Sequence, residues 1–415
     1  MTITACDVTT EDDPAAAVPV VAGVDTHKDT HHVAVLHAMT GARLGDLQVS
    51  ATPAGYQRLA RFVTSFGILT VIGIEGTNSY GAGLTRYLTA AGALVREVIR
   101  PKRAQRRHGK SDPIDAYAAA QQALAEPHNL PFAKTSDGPV EQIRMLMIVR
   151  RSAMKARVAA IRQLKSLLVT APDQVRSRFV ALDGGPLINA LIATRPGPAT
   201  TTVTATAGQA LRPLARRHQS LTDEITEIDT ELRTLVERAA PSMFSTHGFG
   251  VVTTATLLIA AGDNPDRLRS QASFAALCGT APIPASSGKT HRYRLNRGDD
   301  RQANWALHQI ALVRLSTDPR TKTYAAKLTA AGKSKKDILR CLKRAIARET
   351  WHLLVHPAPP PRIDDLRPLR QQQARTLAQA AEHLDTVPAR ISELERGTRY
   401  DPTLATAYRQ WLTAA

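Results

Sequence analysis

Four carboxylates in the first third of the chain have the type and placing needed to hold a divalent metal ion. Asp25 closes one strand-like run, Glu75 closes another, and Asp112 and Asp115 begin a helix on which a spacing of three puts both on one face. If the first and fourth strands are neighbours in a mixed sheet, the four converge from remote positions. Such a cluster repels itself unless occupied, and Mg²⁺ is the expected occupant because hard oxygen ligands suit it and phosphates complete its shell. Each residue also has a plainer account. Asp112-Pro113-Ile114-Asp115 is a good helix start with Asp112 as cap, Asp25 could cap a turn, and Glu75-Gly76 could be an ordinary strand exit. The adjoining basic run tips the balance towards a metal-phosphate site: Arg96, Arg100, Lys102, Arg103, Arg106, Arg107 and Lys110 are opposed only by Glu97 and can contact a phosphate backbone. His27, His31 and His32 do not reproduce a zinc spacing, and adjacent histidines on a strand point to opposite faces, so they are expected to stand outside the chemistry.

A second candidate centre lies in the segment Ala276 to Lys289. Pro282 and Pro284 restrict the backbone, and Gly288 permits an unusual conformation directly after Ser287. A serine there, beside Lys289, Arg292, Arg294 and Arg297, could attack a phosphodiester while the cations stabilise the developing charge. A phosphate-binding loop without covalent chemistry fits the same residues. No G-x-S-x-G elbow surrounds the serine, so ester hydrolysis has little support. Downstream, Trp305 could stack on a nucleotide, but a large aromatic flanked by alanine and leucine reads more readily as core. Lys335, Lys336 and Arg340 belong to a basic helix, continued by Lys343, Arg344 and Arg348, that is expected to clamp a nucleic-acid backbone.

The elements that must position these groups can be read from the apolar pattern. Val18 to Asp25, His31 to Leu36 and Leu44 to Ser50 read as strands; Ala54 to Ser65 is helical, Leu69 to Glu75 a strand, Tyr80 to Ala91 helical and Leu94 to Ile99 a strand. That order predicts an α/β domain with a mixed sheet. Gln142 to Val169 then runs without proline or glycine as a basic helix. Leu211, Leu214, His218, Leu221, Ile225, Ile228, Leu232 and Leu235 recur at intervals of three and four, a coiled-coil seam that could close within one subunit or between two. Gly248 and Gly250 could make a tight hairpin leading into a helix, an order that can present amides to a phosphate, though glycines before an apolar helix are also ordinary punctuation. The expected division is 1–17 as a flexible N-terminus, 18–137 as the carboxylate domain, 138–240 as a helical coiled-coil linker, 241–356 as the serine-bearing domain and 357–415 as a helical tail.

Composition narrows the partners. The 415 residues carry 54 Lys plus Arg against 36 Asp plus Glu, a formal charge of +18, which favours a polyanion. With 43% apolar residues and no run approaching the roughly 20 residues that a bilayer requires, no membrane span is expected. Three scattered cysteines exclude a disulfide framework and a thiolate zinc site, and the acidic N-terminus is the reverse of a secretory leader, so an intracellular protein is expected.

GVDTHKDTHHVAVL, IEGTNSYG and KSDPIDAYAAA resemble the N-terminal RuvC-like, RNase H-like nuclease domain of the insertion-sequence 110 family of transposases, with its relatives 116 and 902. FAALCGTAPIPASSGKTHRYRLNRGDDRQANWALHQIAL resembles that family's mainly helical C-terminal transposase domain. The resemblance covers roughly residues 20 to 355. It implies that the family's four acidic residues fall on Asp25, Glu75, Asp112 and Asp115, binding Mg²⁺, and that its serine falls on Ser287, with Ser286 the weaker candidate. It further implies a bacterial, cytoplasmic and nucleoid-associated DNA recombinase acting on double-stranded DNA at element ends and target. A noncoding bridge RNA would choose the DNA, and dimers would assemble into tetramers in which one subunit's carboxylates meet another's serine. A metal-dependent Holliday-junction-type endonuclease, with the serine loop only holding phosphate, is the alternative. Residues Gln373 to Pro402 separately resemble the helix-turn-helix of phage-repressor-like proteins, with Ser392, Glu395 and Arg396 placed to approach DNA. Two helices alone do not make a domain, so a packing role for the tail stays open.

Overall fold

The computed structural model describes residues 18–98, 111–195, 202–288, 293–296, 300–357, 363–397 and 401–414. The N-terminal segment 1–17 and the basic positions Arg100, Lys102, Arg103, Arg106, Arg107, Lys110, Lys289, Arg292 and Arg297 lie outside them. By contacts the chain forms two units. The first comprises the described residues through Gly138 together with Gly262–Arg269; the second comprises Pro139–Ala261 and Ser270–Ala415.

The first unit is built on a five-stranded mixed sheet of order β3-β2-β1-β4-β5. Its strands are β1 (Pro19–Thr26), β2 (Thr30–His37), β3 (Arg43–Ser50), β4 (Ile68–Glu75) and β5 (Val95–Val98). β1 pairs antiparallel with β2 and β2 with β3, whereas β1–β4 and β4–β5 are parallel. Helices α1 (Pro53–Thr64) and α2 (Ala82–Ala90) provide the crossovers, and α3 (Asp112–Ala125) packs on β1, β2 and β4. This is the RNase H-like arrangement expected for a RuvC-like domain.

β1 is buried from Val20 to Asp25, which explains why its sequence is nearly continuous apolar rather than alternating: both faces are covered. One face contributes to the core of Val20, Val24, Val33, Leu59, Ile72 and Leu84. On the other, Ala34 and Leu36 meet Ala116 and Ala120 of α3. The contact is close because it is made by small residues. A Cβ on Gly23 would lie 2.0 Å from the Ala120 nitrogen and 2.4 Å from the Ala116 carbonyl oxygen. Gly262–Arg269 joins this unit through Asn264, whose amide donates to the Ala133 carbonyl at 2.9 Å.

The second unit is helical. Its longest elements, α4 (Pro139–Thr170) and α7 (Val203–Ala239), pack against each other, with α5 (Asp173–Phe179) and α6 (Gly184–Ala193) beside them. They run antiparallel: Gln142 meets Arg238 and Arg150 meets Asp229 at one end, while Leu164 and Leu168 meet Ala207 and Leu211 at the other. Of the seam positions on α7, Leu211, Ile225, Ile228 and Leu232 are buried in this intrachain packing. Asp229, one of the acidic outer positions, holds the Arg150 guanidinium through two bonds of 2.5 and 3.1 Å.

Next come α8 (Pro241–Phe244), α9 (Val251–Ala261) and α10 (Gln271–Leu277), a two-stranded ribbon of β6 (Ile283–Pro284) and β7 (Tyr293–Arg294), then α11 (Arg301–Thr317), α12 (Pro319–Ala330) and α13 (Lys335–Val355). Gly248, with φ +89°, makes the turn into α9. The tail adds four helices, α14 (Leu366–Gln372), α15 (Leu377–His383), α16 (Pro388–Glu395) and α17 (Pro402–Thr413), around Leu366, Ile391, Leu394, Tyr408 and Leu412. The tail is thus more than a helix pair, because the flanking helices supply the apolar faces that two helices lack. Glu395 does not reach outward to DNA as expected. It is buried, bonded to Arg370 at 2.7 and 3.0 Å and to the Tyr408 hydroxyl at 2.7 Å. Among the described residues no helix is long and apolar enough to cross a membrane.

Candidate active site

The sheet register explains how the acidic residues meet. Gly23 pairs with Gly73 and Val24 with Ile74, so Asp25 and Glu75 stand side by side at the C-terminal ends of parallel strands. Both glycines face α3, and a spacing of two returns a strand to the same face; Asp25 and Glu75 therefore emerge towards α3. The Thr26 hydroxyl ties the two strand ends by donating to the Glu75 carbonyl at 2.8 Å.

At the start of α3 the cap position belongs to Ser111 (φ −150°, ψ 153°), whose side chain makes no capping bond. Asp112 is the first helical residue and Pro113 follows it, so the reading of Asp112 as cap is one residue out of register. The Asp112 side chain instead meets His27. His27 Nε2 lies 3.5 Å from Asp112 Oδ1 and 3.6 Å from Asp25 Oδ2. Asp25, His27 and Asp112 each offer a ligand atom, and the three atoms lie within 4.8 Å of one another. These separations are too long for ordinary hydrogen bonds and leave room for a cation between the donors. Asp25 is only 2% exposed, whereas Asp112 is half open.

Glu75 and Asp115 lie outside that three-atom group. Glu75 is half-buried at the strand end, and Asp115, one turn into α3, has its Oδ2 buried with no hydrogen-bond partner among the described residues. A buried carboxylate oxygen without a donor is costly, and a metal shell or its water would relieve it. The donor set therefore fits a divalent ion. The nitrogen of His27 adds a ligand that suits Zn²⁺ or Fe²⁺ better than Mg²⁺.

The sequence reading missed His27. The signal was its position two residues after Asp25 at the end of a central strand, which puts it on the carboxylate's face. The other two histidines split as adjacent strand residues must. His32 bonds to Asp46 at 2.7 Å on the α3 side, and buried His31 stacks on Tyr56 with ring centres 5.8 Å apart on the other. Burial lowers the His31 pKa. Arg96 is not a backbone contact. It is 4% exposed, lies over Phe132 at 3.6 Å and donates to the Leu130 carbonyl.

In the second unit, Ser286 and Ser287 lie exposed on the loop beyond β6, and Gly288 takes a positive φ of +55° directly after Ser287. Arg294 on β7 is exposed; so are Lys335, Lys336 and Arg340 on α13, where Arg340 also pairs with Asp337 at 2.7 Å. Asp300 is a helix cap, accepting from the Gln302 and Ala303 amides at 2.9 and 3.1 Å. Trp305 is not core. The buried residues of α11 are Ala303, Ala306, Leu307, Ile310 and Ala311, and their stripe leaves Trp305 on the other side, 43% exposed.

A strand-end acidic cluster in an RNase H-like sheet, with an exposed serine loop later in the same chain, is an arrangement suited to a DNA-cleaving enzyme such as a transposase. Comparison with known proteins agrees. A family model described as Transposase, for the DEDD domain of IS110-type elements, matches residues 22–171, and one described as Transposase IS116/IS110/IS902 family matches residues 242–326. The insertion element IS900 uncharacterized 42 kDa protein of Mycobacterium paratuberculosis is 28% identical over 394 residues, 82% of this chain and 98% of that protein. The insertion element IS110 uncharacterized 43.6 kDa protein of Streptomyces coelicolor is 32% identical over 120 residues, 28% of this chain and 29% of that protein. The chain belongs to the IS116/IS110/IS902 family of transposases.

Proposed function

We propose that this transposase is a metal-assisted serine recombinase that cleaves and rejoins the DNA of an insertion sequence. The observation that carries the reading is the Asp25–His27–Asp112 group at the end of an RNase H-like sheet. Asp25, Glu75, Asp112 and Asp115 would hold the divalent ion, Mg²⁺ being the one their oxygens suit, with His27 beside them. The bound ion would supply positive charge against the phosphoryl oxygens and polarise the scissile bond. Ser287 attacks the phosphorus: its Oγ–P bond forms as the bond to the leaving oxygen breaks, the serine proton departs, and the leaving oxygen ends as a hydroxyl. Attack by that hydroxyl, or by one from a second strand, reverses the step and releases the serine. The exposure of Ser287 and the positive φ of Gly288 support this role. Arg294, Lys335, Lys336 and Arg340 bind backbone phosphates, and exposed Trp305 offers a stacking surface.

Family membership supports a bridge RNA as guide and double-stranded DNA at element ends and target as substrate. Exposed Met145, Ile148 and Val149 on α4 support association of subunits.

The test is to incubate the protein with element-end DNA, divalent metal and element RNA, denature, and look for protein-linked DNA. A covalent adduct lost in Ser287→Ala and in Asp25→Asn is expected. An adduct that survives Ser287→Ala but not Ser286→Ala moves the nucleophile by one residue. Free ends without an adduct, retained in Ser287→Ala and lost in Asp25→Asn, would establish the hydrolytic endonuclease instead. Omitting the RNA should abolish target choice.

A further inference from the structure

Below the serine ribbon the second unit contains a cavity of about 870 Å³ that the proposed strand exchange does not yet use. Among the described residues its wall carries five cations, Arg301, Arg340, Lys343, Arg344 and Arg348, and no carboxylate. Two of them are set by their neighbours. Lys343 donates to the Asn304 side-chain oxygen at 2.6 Å, and the Asn304 amide donates to the Cys278 carbonyl at 2.7 Å. Arg340 leans on Asp337 one turn away. Arg344 differs: its Nη1 is buried with no hydrogen-bond acceptor among the described residues. A guanidinium donor in that state calls for an anionic oxygen.

Apart from Thr280, Asn296, Asn304 and Cys341, the rest of the lining is apolar or aromatic. Ala281, Pro282, Leu295 and Ala345 contribute, and the Tyr324 ring stands 41% exposed at the wall. A duplex backbone presents phosphates to an outer surface and puts no base into a cavity. Cations around an apolar hollow with an exposed aromatic ring suit a nucleotide unstacked from its neighbours, with phosphate on the guanidinium groups and base against the ring. The cavity also lies close to the serine. Pro282 lines it, and Ser287 is five residues further on, no more than about 18 Å along even a fully extended chain.

We propose that this cavity takes one unstacked nucleotide of the DNA strand that Ser287 attacks, holding that strand in register with the serine. Choosing DNA as the occupant rests on the recombinase reading above; the cavity's preference for an unpaired nucleotide does not.

The experiment uses full-length protein and three probes: a short oligothymidylate, an oligouridylate of equal length and a blunt DNA duplex. Cys341 lines the cavity and is half-buried, whereas Cys278 is buried, so alkylation of Cys341 followed by peptide mass mapping reports occupancy. Oligothymidylate should protect Cys341 and the duplex should not. Tyr324→Ala should weaken oligothymidylate binding at least about fivefold. Arg344→Gln should reduce the slope of log affinity against log salt by about 0.7, with duplex affinity changed less than about twofold. Absence of protection in wild-type protein, or equal losses for strand and duplex, overturns the proposal. Stronger protection by oligouridylate also overturns it and assigns the cavity to RNA. The same measurement on Ser287→Ala involves no cleavage. Protection retained there upholds the cavity even if no serine adduct ever forms, and protection lost there overturns it.

Discussion

Asp112→Asn separates a metal ligand from a structural residue, because the geometry gives opposite expectations for the two roles. As a cap, Asp112 would stabilise α3 by about 1 kcal/mol, and its loss would lower metal-free stability accordingly. The cap position is held by Ser111, so that loss should not occur. Asp112 and Asp25 offer oxygens within 4.8 Å of each other. Two full charges at that spacing repel by roughly 3 kcal/mol at an effective dielectric constant of about 20. Asp112 is 43% exposed, so screening reduces this to roughly 1 kcal/mol. Neutralising it relieves that repulsion and forfeits about 0.3–1 kcal/mol of attraction to the helix N-terminus. The two nearly cancel, and the metal-free melting temperature should stay within about 2 °C of wild type. Metal should tell the variants apart. At a hundredfold excess over its Kd an ion stabilises the wild type by about 2.7 kcal/mol, or about 5–10 °C for a unit of this size. Each tenfold loss of affinity removes about 1.4 kcal/mol of that gain, so Asp112→Asn should retain less than about half of the rise. The assay is thermal unfolding with and without Mg²⁺ or Mn²⁺. A metal-free loss above about 1.5 kcal/mol, or an undiminished metal-induced rise, would refute the ligand assignment.

Gly23→Ala should destabilise the first unit by about 3 kcal/mol or more, because the new methyl meets backbone atoms of α3 at 2.0 and 2.4 Å and neither can move alone; calorimetry measures the loss, and a normal melting temperature would show that the contact is looser. His31 is held neutral by burial, so its folded pKa lies below 6.5 and its contribution is present above that pH and lost as pH falls through it. His31→Phe, which keeps the stacking on Tyr56, should flatten the fall in stability below pH 6.5 in denaturant titrations; an unchanged slope counts against this. Burial opposes the charge on Glu395, but bonds from Arg370 and Tyr408 outweigh it and hold the pKa below 4.5. Its stabilisation is therefore present above pH 4.5 and lost at lower pH, and Glu395→Ala should cost the tail about 3–5 kcal/mol, seen as proteolysis there at neutral pH.

The sheet was legible because its apolar runs are long and bounded by turns: each predicted strand that lies within the described residues agrees with the observed one to within two residues. The errors came where two registers one residue apart satisfy the same local rules. Ser111 and Asp112 are both good cap residues before Pro113, and only the extended backbone of Ser111 decides between them. Trp305 was misread from its immediate neighbours. The three- and four-residue spacing of Ala303, Ala306, Leu307 and Ile310 already left it off the buried stripe. The tail was underestimated for a different reason. Its core needs Leu366 and Tyr408, which lie outside the helix-turn-helix pattern.

The tail also bears on what the excess charge does. Over residues 363–415 seven arginines face seven carboxylates, so the +18 of the chain is carried entirely elsewhere. Within the tail, Arg370, Arg390 and Arg409 are committed to Glu395, to Glu393 and Asp401, and to Asp365. A helix-turn-helix that docks in a major groove needs surplus cations for the flanking phosphates, and this one has no net surplus, with three of its seven arginines committed to ion pairs. The cations of α13 stand in a different condition: Arg340 is paired with a carboxylate, Asp337, but the cavity wall has no carboxylate among the described residues, and Arg344 Nη1 has no acceptor among them. On this charge distribution, nucleic acid is expected on the serine-bearing helices rather than on the tail. Deleting residues after 357 should accordingly change the salt dependence of DNA binding little, whereas charge removal on α13 should flatten it; the reverse result would give the groove-reading role back to the tail.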